Sequence, residues 1–315
     1  MNLPCLMKPL SGNCIALVLS ISFVLLFVGC STEKKSPKRV ILLGLDGLSV
    51  EGFQTAAHPN IDSLFEDGVI SFNTRTVMPS VTLPNWTSHL TAAGPEQHGV
   101  FENGWKKENH SLEPQEMDAE GYFPSIFKIV KDQVPNIKTA YYYNWKSLIN
   151  PINQTYLDEV NFEENDEYSE NYQAALDFIE NNKSLPTLTF LYSVHVDHAG
   201  HRHQWMSPEY ITAIEEVDNK IGEFVKQLKA KGLYQNTHFL LFTDHGGVGN
   251  GHGGTSPQEM EVPWMIKGPG IKKGFELTTP NSNTNTAAII AHLFDIAQTP
   301  EAWIGKVPDE IIQDK

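Results

Sequence analysis

The stretch HFLLFTDHGGVGNGH, residues 238–252, decides the fold. It is an apolar run that ends at two adjacent residues of metal-binding type, Asp244 and His245, and a glycine-rich segment then leads to His252. An apolar run of this length bounded by polar residues is typical of a buried strand. Glycines let the backbone fold back, so His252 can return toward the pair. The stretch therefore predicts a strand that delivers ligands to the edge of a sheet.

Two other apolar runs also lead into an aspartate. Residues 40–45 end at Asp46, and residues 188–192 are followed closely by Asp197 and then by His201. Because the carboxyl ends of parallel strands meet at one edge of a sheet, we expect these side chains to lie together. The three segments predict a two-metal site assembled from strand ends, with Asp197 and His201 on loops where side-chain direction is free.

Further apolar runs alternate with helical patterns along the chain. The clearest helix begins at Ser207-Pro208 and ends at Gly232, and its apolar residues recur at helical spacing. Such alternation implies a mostly parallel sheet with helices on both faces. We therefore predict an α/β fold for residues 39–315, taken as one catalytic domain with the site at the carboxyl ends of the strands. The predicted strands are 39–46, 138–143, 188–192, 238–243 and 262–266.

The first 30 residues are predicted to be a targeting segment. Lys8 carries the only charged side chain before an apolar stretch at residues 15–28. That stretch has the length of a signal-peptide core and is too short for a clear membrane span. A lipoprotein signal, an ordinary signal peptide and a single anchoring helix are the alternatives, and all three place the domain outside the cytoplasm.

The residues after the apolar stretch favour the lipoprotein alternative. Gly29 and Cys30 precede a polar segment, which resembles a bacterial lipoprotein signal. We predict a lipoprotein signal peptide over residues 1–29, lipid attachment at Cys30, and a polar tether over residues 30–38. Ser31 after the cysteine resembles the pattern for outer-membrane sorting. The expected location is the bacterial cell envelope, periplasmic or at the surface, with a lipid anchor as the only membrane contact.

Composition limits the possible partners. The formal net charge is −15, and an acidic chain lacks the clustered Lys and Arg that grip nucleic-acid backbones. Binding of an anionic substrate would therefore depend on local positive charge such as bound metal. Cys5 and Cys14 lie in the predicted signal peptide and Cys30 would be acylated, so we expect no disulfide in the mature domain.

The donor set favours zinc. Imidazole nitrogen combined with carboxylate oxygen suits Zn²⁺ best, although Mn²⁺ or Fe could substitute. Three protein ligands leave a position open for substrate, and a pair of metal ions suits phosphoryl transfer. We predict two ions per chain, one held by Asp197, His201 and His252 and the other by Asp46, Asp244 and His245.

The predicted nucleophile is Thr82, in the segment MPSVTLPNW at residues 78–86. Pro84 is well placed for the first turn of a helix, and Thr82 just precedes it. Backbone N–H groups at the start of a helix would also hold a phosphate oxygen. Ser80 is the alternative nucleophile.

Five motifs in this order resemble the alkaline phosphatase superfamily, and its nucleotide pyrophosphatase/phosphodiesterase branch most closely. The resemblance covers nearly all of residues 39–315. It implies an alkaline-phosphatase-like fold, two zinc ions and hydrolysis of phosphodiester or pyrophosphate bonds through a covalent phospho-threonine. The motifs are Gly44-Leu45-Asp46-Gly47, Thr82-Leu83-Pro84-Asn85, Asp197-x-x-x-His201, Asp244-His245-Gly246 and Gly251-His252-Gly253.

The resemblance also implies substrate contacts. Asn103 matches an asparagine that hydrogen-bonds a phosphate oxygen, and a turn residue is the alternative reading. Tyr192 matches a position that stacks on the nucleobase in nucleotide-cleaving relatives, with a core aromatic as the alternative. Leu83 stands where those relatives often have the aromatic that forms the other side of the slot. His252 follows His245 by seven residues, where the relatives have a long insertion, so nucleotide specificity stays open.

Three alternatives to this activity are a phosphomonoesterase, a sulfatase and a binding protein without turnover. A phosphomonoesterase needs extra cationic side chains for the terminal phosphate, and Lys106, Lys107 and Lys146 are unplaced candidates. A sulfatase is disfavoured, because no Cys or Ser stands in a Cys/Ser-x-Pro-x-Arg context. A surface lipoprotein that binds ligands at a silent site is the alternative outside enzymes. The expected partner is a small phosphorylated substrate, a nucleotide or another phosphodiester.

Overall fold

The computed structural model describes residues 38–164 and 167–313. These residues form one sheet of nine strands. The predicted signal peptide, Cys30 and all of the tether but Lys38 lie outside these residues. The strand order is β4-β3-β5-β1-β6-β7-β2-β8, with β9 beside β2. The strands are β1 Arg39–Leu45, β2 Val69–Arg75, β3 Lys138–Tyr143, β4 Glu159–Phe162, β5 Thr187–Ser193, β6 Thr237–Phe242, β7 Glu261–Lys267, β8 Phe275–Glu276 and β9 Asn281–Ser282.

The five strands from β4 to β6 are all parallel, which confirms the predicted α/β architecture. In the central trio, Arg39 of β1 aligns with Thr187 of β5 and Thr237 of β6. Their carboxyl ends are therefore level at one edge of the sheet. Strand β7 is the exception, because it is antiparallel to both β6 and β2. An antiparallel return needs no crossover helix of full length, and only a four-residue helix lies between β6 and β7.

Helices cover both faces of the sheet, as predicted. Val40 and Leu42 of β1 face one apolar cluster, whereas Ile41 and Leu43 face a second cluster on the other side. This alternation of side chains is that of a strand buried on both faces. The helices are α1 Val50–Thr55, α2 Pro59–Phe65, α3 Thr82–Thr91, α4 Pro95–His98, α5 Ile126–Gln133, α6 Ser169–Asn181, α7 His195–His203, α8 Pro208–Ala230, α9 Pro257–Met260 and α10 Asn285–Leu293, with 3₁₀ turns at Lys146–Ile149, Gln154–Tyr156 and Asp309–Ile311.

The long helix α8 fastens α2 to the domain through one buried carboxylate. Asp218 is 1% exposed and accepts hydrogen bonds from the backbone N–H groups of Asn60 and Ile61, at 3.3 and 2.8 Å. The side-chain amide of Asn60 donates to it as well, at 2.7 Å. The N-cap residue of α2, His58, makes no side-chain cap, so Asp218 supplies from another helix the acceptor that a local cap would give.

The segment that carries Asp197 and His201 differs from the expectation. It forms helix α7 instead of a loop. The sequence pattern does not predict this helix, because Gly200 lowers the helix propensity in its middle. The side chain of Trp205 packs where a Cβ at Gly200 would be 2.7 Å from the ring, so tertiary packing overrides the local preference. Among the described residues, no helix has both the length and the apolar character needed to cross a membrane.

Candidate metal centre and nucleophile

The loops that follow β1, β5 and β6 meet at one edge of the sheet. Asp46 directly follows β1, and Asp244 lies two residues after β6. Helix α7 begins two residues after β5 and brings Asp197 to the same place. All three aspartates are buried. The level carboxyl ends of the central strands therefore place three acidic side chains together, as the sequence predicted from their positions.

Five side chains gather into two groups that could hold metal ions. Donor atoms of Asp46, Asp244 and His245 all lie within 4.8 Å of one another, and those of Asp197, His245 and His252 form a second such group. His245 belongs to both groups. Its Nε2 atom is 3.2 Å from Asp244 Oδ2 and 3.5 Å from Asp46 Oδ1. Its ring stacks on that of His252, with centroids 3.6 Å apart.

His201 borders the second group. It lies one helical turn after Asp197, so the two side chains share a face of α7. The Nε2 atom of His201 is 3.5 Å from Asp197 Oδ2, while Nε2 of His252 is 3.8 Å from Asp197 Oδ1. Asp197 thus stands between the two histidines predicted to share an ion with it. The spacing predicted on free loops is in fact the i,i+4 geometry of a helix.

Backbone carbonyls fix the tautomer of all three histidines. Nδ1 of His245 faces the carbonyl of Gly246 at 2.9 Å, and Nδ1 of His201 faces that of Asn250 at 2.8 Å. Nδ1 of His252 faces the carbonyl of Ser80 at 3.1 Å. A carbonyl can only accept, so each Nδ1 carries the hydrogen and each Nε2 keeps a lone pair. That pattern orients an imidazole for metal binding.

Two of the carboxylates each present one oxygen that has no hydrogen-bond partner. Asp46 Oδ2 accepts from the indole N–H of Trp86 at 3.1 Å, and Asp244 Oδ1 accepts from the N–H of Gly47 at 3.1 Å. The other oxygens, Asp46 Oδ1 and Asp244 Oδ2, are buried without such a partner. Buried polar atoms of this kind are costly unless they are satisfied. A divalent cation between them would satisfy both, so the residues fit a metal.

The electrostatics of the cluster agree with this assignment. Burial raises the pKa of Asp46 and of Asp244 well above the ordinary value, and the neighbouring carboxylates raise it further. Burial lowers the pKa of His245 well below its usual value, and the nearby His252 adds to that shift. Burial also lowers the pKa of His252 to about 4. Burial therefore favours the neutral imidazole at His245 and His252, whereas the carboxylates need a cation to stay ionised.

The structure corrects the role expected of Tyr192. This side chain is 1% exposed and packs in the apolar cluster on the α3 side of the sheet, so no nucleobase can stack on it. Its hydroxyl donates a hydrogen bond to Asp46 Oδ2, the oxygen that Trp86 also contacts. Tyr192 and Trp86 thus orient Asp46 so that Oδ1 is the oxygen left for a cation. The role of Trp86 had no signal in the sequence.

Thr82 begins helix α3 beside the cluster. Its Oγ1 atom is 3.4 Å from Nε2 of His245 and 3.5 Å from Nδ2 of Asn103. Asn103 Oδ1 accepts from the backbone N–H of Leu83 at 2.8 Å, which fixes the carboxamide with its NH₂ group toward Thr82. The alternative nucleophile, Ser80, is fully buried and donates to the carbonyl of Gly254 at 2.6 Å. The structure therefore gathers Thr82 and Asn103 at the metal centre.

Leu83 is also corrected. Its side chain is fully buried and packs against Val100 and Trp105, so it does not form one side of a base-binding slot. Its contribution is the backbone N–H that holds Asn103. That N–H is consequently not available for a phosphate oxygen. The sequence had instead predicted that backbone N–H groups at the start of this helix would bind one. Tyr192 and Leu83, both expected to contact a nucleobase, therefore instead hold side chains of the candidate site in position.

Trp205, which the sequence analysis did not identify, joins the loops that carry the candidate metal ligands. Its indole N–H donates to the carbonyl of Gly47 at 2.9 Å, and its ring lies against Gly200 and Gly247. A Cβ at Gly247 would be 2.3 Å from that ring, so only glycine allows this approach. The ring edge also faces His201, with centroids 5.2 Å apart. No local motif could reveal Trp205, because its partners come from three separate segments.

A parallel α/β sheet whose carboxyl edge carries a candidate two-cation centre and a helix-terminal hydroxyl defines a class of protein with alkaline-phosphatase-like architecture. The family model described as type I phosphodiesterase / nucleotide pyrophosphatase matches residues 40–253. The chain belongs to this family, which confirms the resemblance drawn from its motifs.

Individual relatives agree with this assignment. The chain is 25% identical to bovine bis(5'-adenosyl)-triphosphatase ENPP4 over 246 residues, which are 73% of this chain and 52% of that protein. It is 28% identical over 219 residues to an uncharacterized pyrophosphatase/phosphodiesterase of Schizosaccharomyces pombe, covering 66% of this chain and 44% of the relative. The chain thus spans about half the length of these curated relatives.

Solved structures show the same fold. Murine ectonucleotide pyrophosphatase/phosphodiesterase 5 superposes with a TM-score of 0.70 at 16% identity, covering 84% of this chain and 96% of that one. Ps i-CgsB, crystallised with k-i-k-neocarrahexaose, gives a TM-score of 0.66 at 17% identity and covers 84% and 73%. The predicted alkaline-phosphatase-like fold is therefore confirmed.

Proposed function

We propose that this chain is a two-zinc hydrolase that cleaves phosphodiester or pyrophosphate bonds with Thr82 as its nucleophile. One observation carries the proposal: the hydroxyl of Thr82 lies 3.4 Å from Nε2 of His245, the residue common to both metal-binding groups. A hydroxyl in this position can attack a phosphorus atom bound at the same centre. Zinc suits a donor set of carboxylate oxygen and imidazole nitrogen, with Mn²⁺ or Fe as substitutes.

The reaction would proceed in two displacements at phosphorus. In the first, Thr82 Oγ1 gives its proton to solvent and bonds to phosphorus as the bond to the leaving oxygen breaks, and that oxygen takes up a proton from solvent. In the second, water attacks the phospho-threonine, and Thr82 recovers its hydroxyl as the phosphate product leaves. Ions held by the six ligands would act as Lewis acids that favour the ionised hydroxyl and neutralise the leaving oxygen.

Asn103 would stabilise the charge that develops in each displacement. Its carboxamide is held by the N–H of Leu83, and its NH₂ group points toward Thr82. An oriented N–H donor of this kind is most effective where negative charge grows in the transition state. We therefore assign Asn103 as the donor to a non-bridging phosphoryl oxygen.

The names of relatives support nucleotides as one substrate class. ENPP4 is named as a bis(5'-adenosyl)-triphosphatase, and an inactive threonine-to-alanine form of murine ENPP5 was crystallised with AMP. Burial of Tyr192 and Leu83 means that a nucleobase in this chain would need other contacts. The proposed substrate class is therefore small phosphodiesters and pyrophosphates, with nucleotides as candidates.

Phosphomonoester hydrolysis is the second candidate, and two contacts of Lys107 weigh against it. Lys107 was one possible partner for a terminal phosphate. Its ammonium instead donates to the carbonyl of Glu120 at 3.1 Å and lies over the ring of Tyr122 at 4.6 Å. These contacts hold the ammonium of Lys107 on its own loop. A diester depends less on such a cation, because it carries one negative charge fewer than a monoester dianion.

The proposed location is the bacterial cell envelope, with a lipid anchor at Cys30. The described chain enters the sheet at Arg39, at the start of β1, and Asp46 directly follows the end of that strand. Seven residues of strand separate the two edges by roughly 20 Å. The candidate metal centre therefore lies at the edge of the sheet away from the start of β1. Release of the Cys30→Ser form from membranes into the soluble fraction would test the anchor.

The catalytic proposal is tested by hydrolysis assays on the full chain in detergent. Bis-nitrophenyl phosphate, nitrophenyl phosphate and nitrophenyl sulfate would be compared with and without added zinc, for the native chain and for Thr82→Ala. We expect zinc-dependent turnover that favours the diester. We also expect Thr82→Ala to bind metal normally and to lose activity. A Thr82→Ala enzyme of native rate, or preference for the sulfate ester, would contradict the proposal.

A further inference from the structure

We infer that the two cation positions are unequal: the inner position, held by Asp46, Asp244 and His245, retains its ion, while the outer position, held by Asp197, His201 and His252, exchanges its ion with the medium. This rests on the proposed two-metal function. Occupancy of the outer position would then follow the free metal around the protein and set its activity. The inference comes from the burial, charge and attachment of the two ligand sets.

Burial separates the two positions. The side chains of Asp46, Asp244 and His245 are 0% exposed. The outer set includes His201, whose side chain is 41% exposed, although Asp197 and His252 are largely buried. An ion in the inner position has no exposed ligand through which water or a chelator can approach. The outer ion can be reached on the side of His201.

Charge separates them in the same direction. The inner set has two carboxylates and one neutral imidazole, so a divalent ion leaves it electrically neutral. Loss of that ion would leave two buried carboxylates facing each other, which carries a large desolvation and repulsion cost. The outer set has one carboxylate and two neutral imidazoles, so its ion leaves one positive charge in excess. Its removal therefore costs less free energy, and the excess charge suits an anionic substrate.

The outer ligand His201 is also attached to a surface turn. Nδ1 of His201 donates to the carbonyl of Asn250, and the carboxamide of Asn250 donates to the carbonyl of His201 at 3.0 Å. Asn250 lies in the turn closed by Val248 and Gly251, and Val248 is 54% exposed. An exposed turn of this kind can open locally without disturbing the core. Opening would free the ring of His201 and release the outer ion.

The experiment is metal release from the intact, zinc-loaded chain into an excess of a chromogenic chelator, without substrate. We expect one equivalent to be released quickly and a second at least about tenfold more slowly, because the inner ligands are buried and carry one more carboxylate; about tenfold is the lower end of the effect that even a single ligand support has on metal affinity. Asn250→Ala should accelerate the fast phase several-fold and leave the slow phase unchanged. His201→Ala should bind one equivalent and show only the slow phase.

A matched control is Asn219→Ala, which removes an exposed carboxamide that donates to a backbone carbonyl at 2.9 Å on α8. It should leave both phases at native rates. Release of both ions in a single phase, acceleration of the slow phase by Asn250→Ala, or two equivalents retained by His201→Ala would overturn the inference. A chain that binds no zinc would instead contradict the proposed function itself, and circular dichroism would show whether each variant is folded.

Discussion

The hydroxyl of Tyr192 donates a hydrogen bond to the carboxylate of Asp46 from beneath the candidate metal centre. Tyr192 lies on β5 in register with Gly44 of β1, and Asp46 directly follows β1. Because Gly44 has no side chain, the ring of Trp86 fills that space and packs edge-to-face with the ring of Tyr192. A residue expected to contact substrate is therefore part of the support of a candidate metal ligand.

We expect Tyr192→Phe to weaken metal binding about tenfold, because supports of metal ligands typically contribute 10–100-fold in affinity. Turnover of nucleotide and non-nucleotide diesters should fall by the same factor, since Tyr192 touches no substrate. Zinc affinity and the two rates are the measurements. Tyr141→Phe is the matched control, because this buried hydroxyl donates to Leu148 away from the centre. A loss confined to nucleotide substrates, with metal affinity unchanged, would restore the base-stacking role.

Replacing Asn103 with alanine should reduce kcat about 10²–10³-fold, the usual effect of losing one donor to a developing oxyanion. Zinc stoichiometry and thermal stability should stay close to native values, because Asn103 is not a metal ligand. Steady-state kinetics with a nitrophenyl diester would measure the change. A rise in KM without any fall in kcat would show that Asn103 only binds the ground state.

His98 is expected to make the stability depend on pH. Burial lowers its pKa to about 3, and its ring lies 3.0 Å from both Ser88 Oγ and the N–H of Val100. Below the unfolded value of 6.5 the unfolded chain binds a proton that the folded chain refuses. Stability from this group is thus complete above about pH 6.5 and falls as the pH drops toward 3, by up to about 1.4 kcal/mol per pH unit.

The pH effect of His98 can be isolated with His98→Gln. Urea unfolding of the metal-free native and variant chains at several values between pH 4 and 7 would give the slopes. The variant should be less stable at neutral pH but should lose stability less steeply as the pH falls. Parallel slopes would contradict this prediction, because they would show that His98 binds a proton equally in the folded and unfolded chains.

Asp218→Ala should destabilise the fold by about 2–3 kcal/mol, because it leaves the buried N–H groups at the start of α2 without their acceptor. Denaturant unfolding measures this effect. Glu223→Ala on the same helix is the control: its exposed pair with Lys220 should contribute at most about 0.5 kcal/mol. Equal losses of stability from the two substitutions would contradict the role of Asp218 as the cap of α2. Activity per folded molecule should be unchanged in both.

Much of the centre could be predicted from sequence because its ligands follow strands directly. Asp46 and Asp244 come at or just after the end of an apolar run, and level parallel strands bring such positions to one edge. Strand β3 was also predicted with the bounds that it has. By contrast, α7 was missed, since its glycine and four histidines give no helical apolar pattern.

By itself, the sequence determined the ligand types, their order, the nucleophile candidate and the parallel α/β architecture, because these depend on local apolar runs and on the residues that end them. Only the tertiary structure decided which side chains are covered. Tyr192 is buried against Trp86, and His201 is left open at a surface turn. Burial depends on residues distant in sequence, and a one-dimensional pattern does not specify which of them fills a given space.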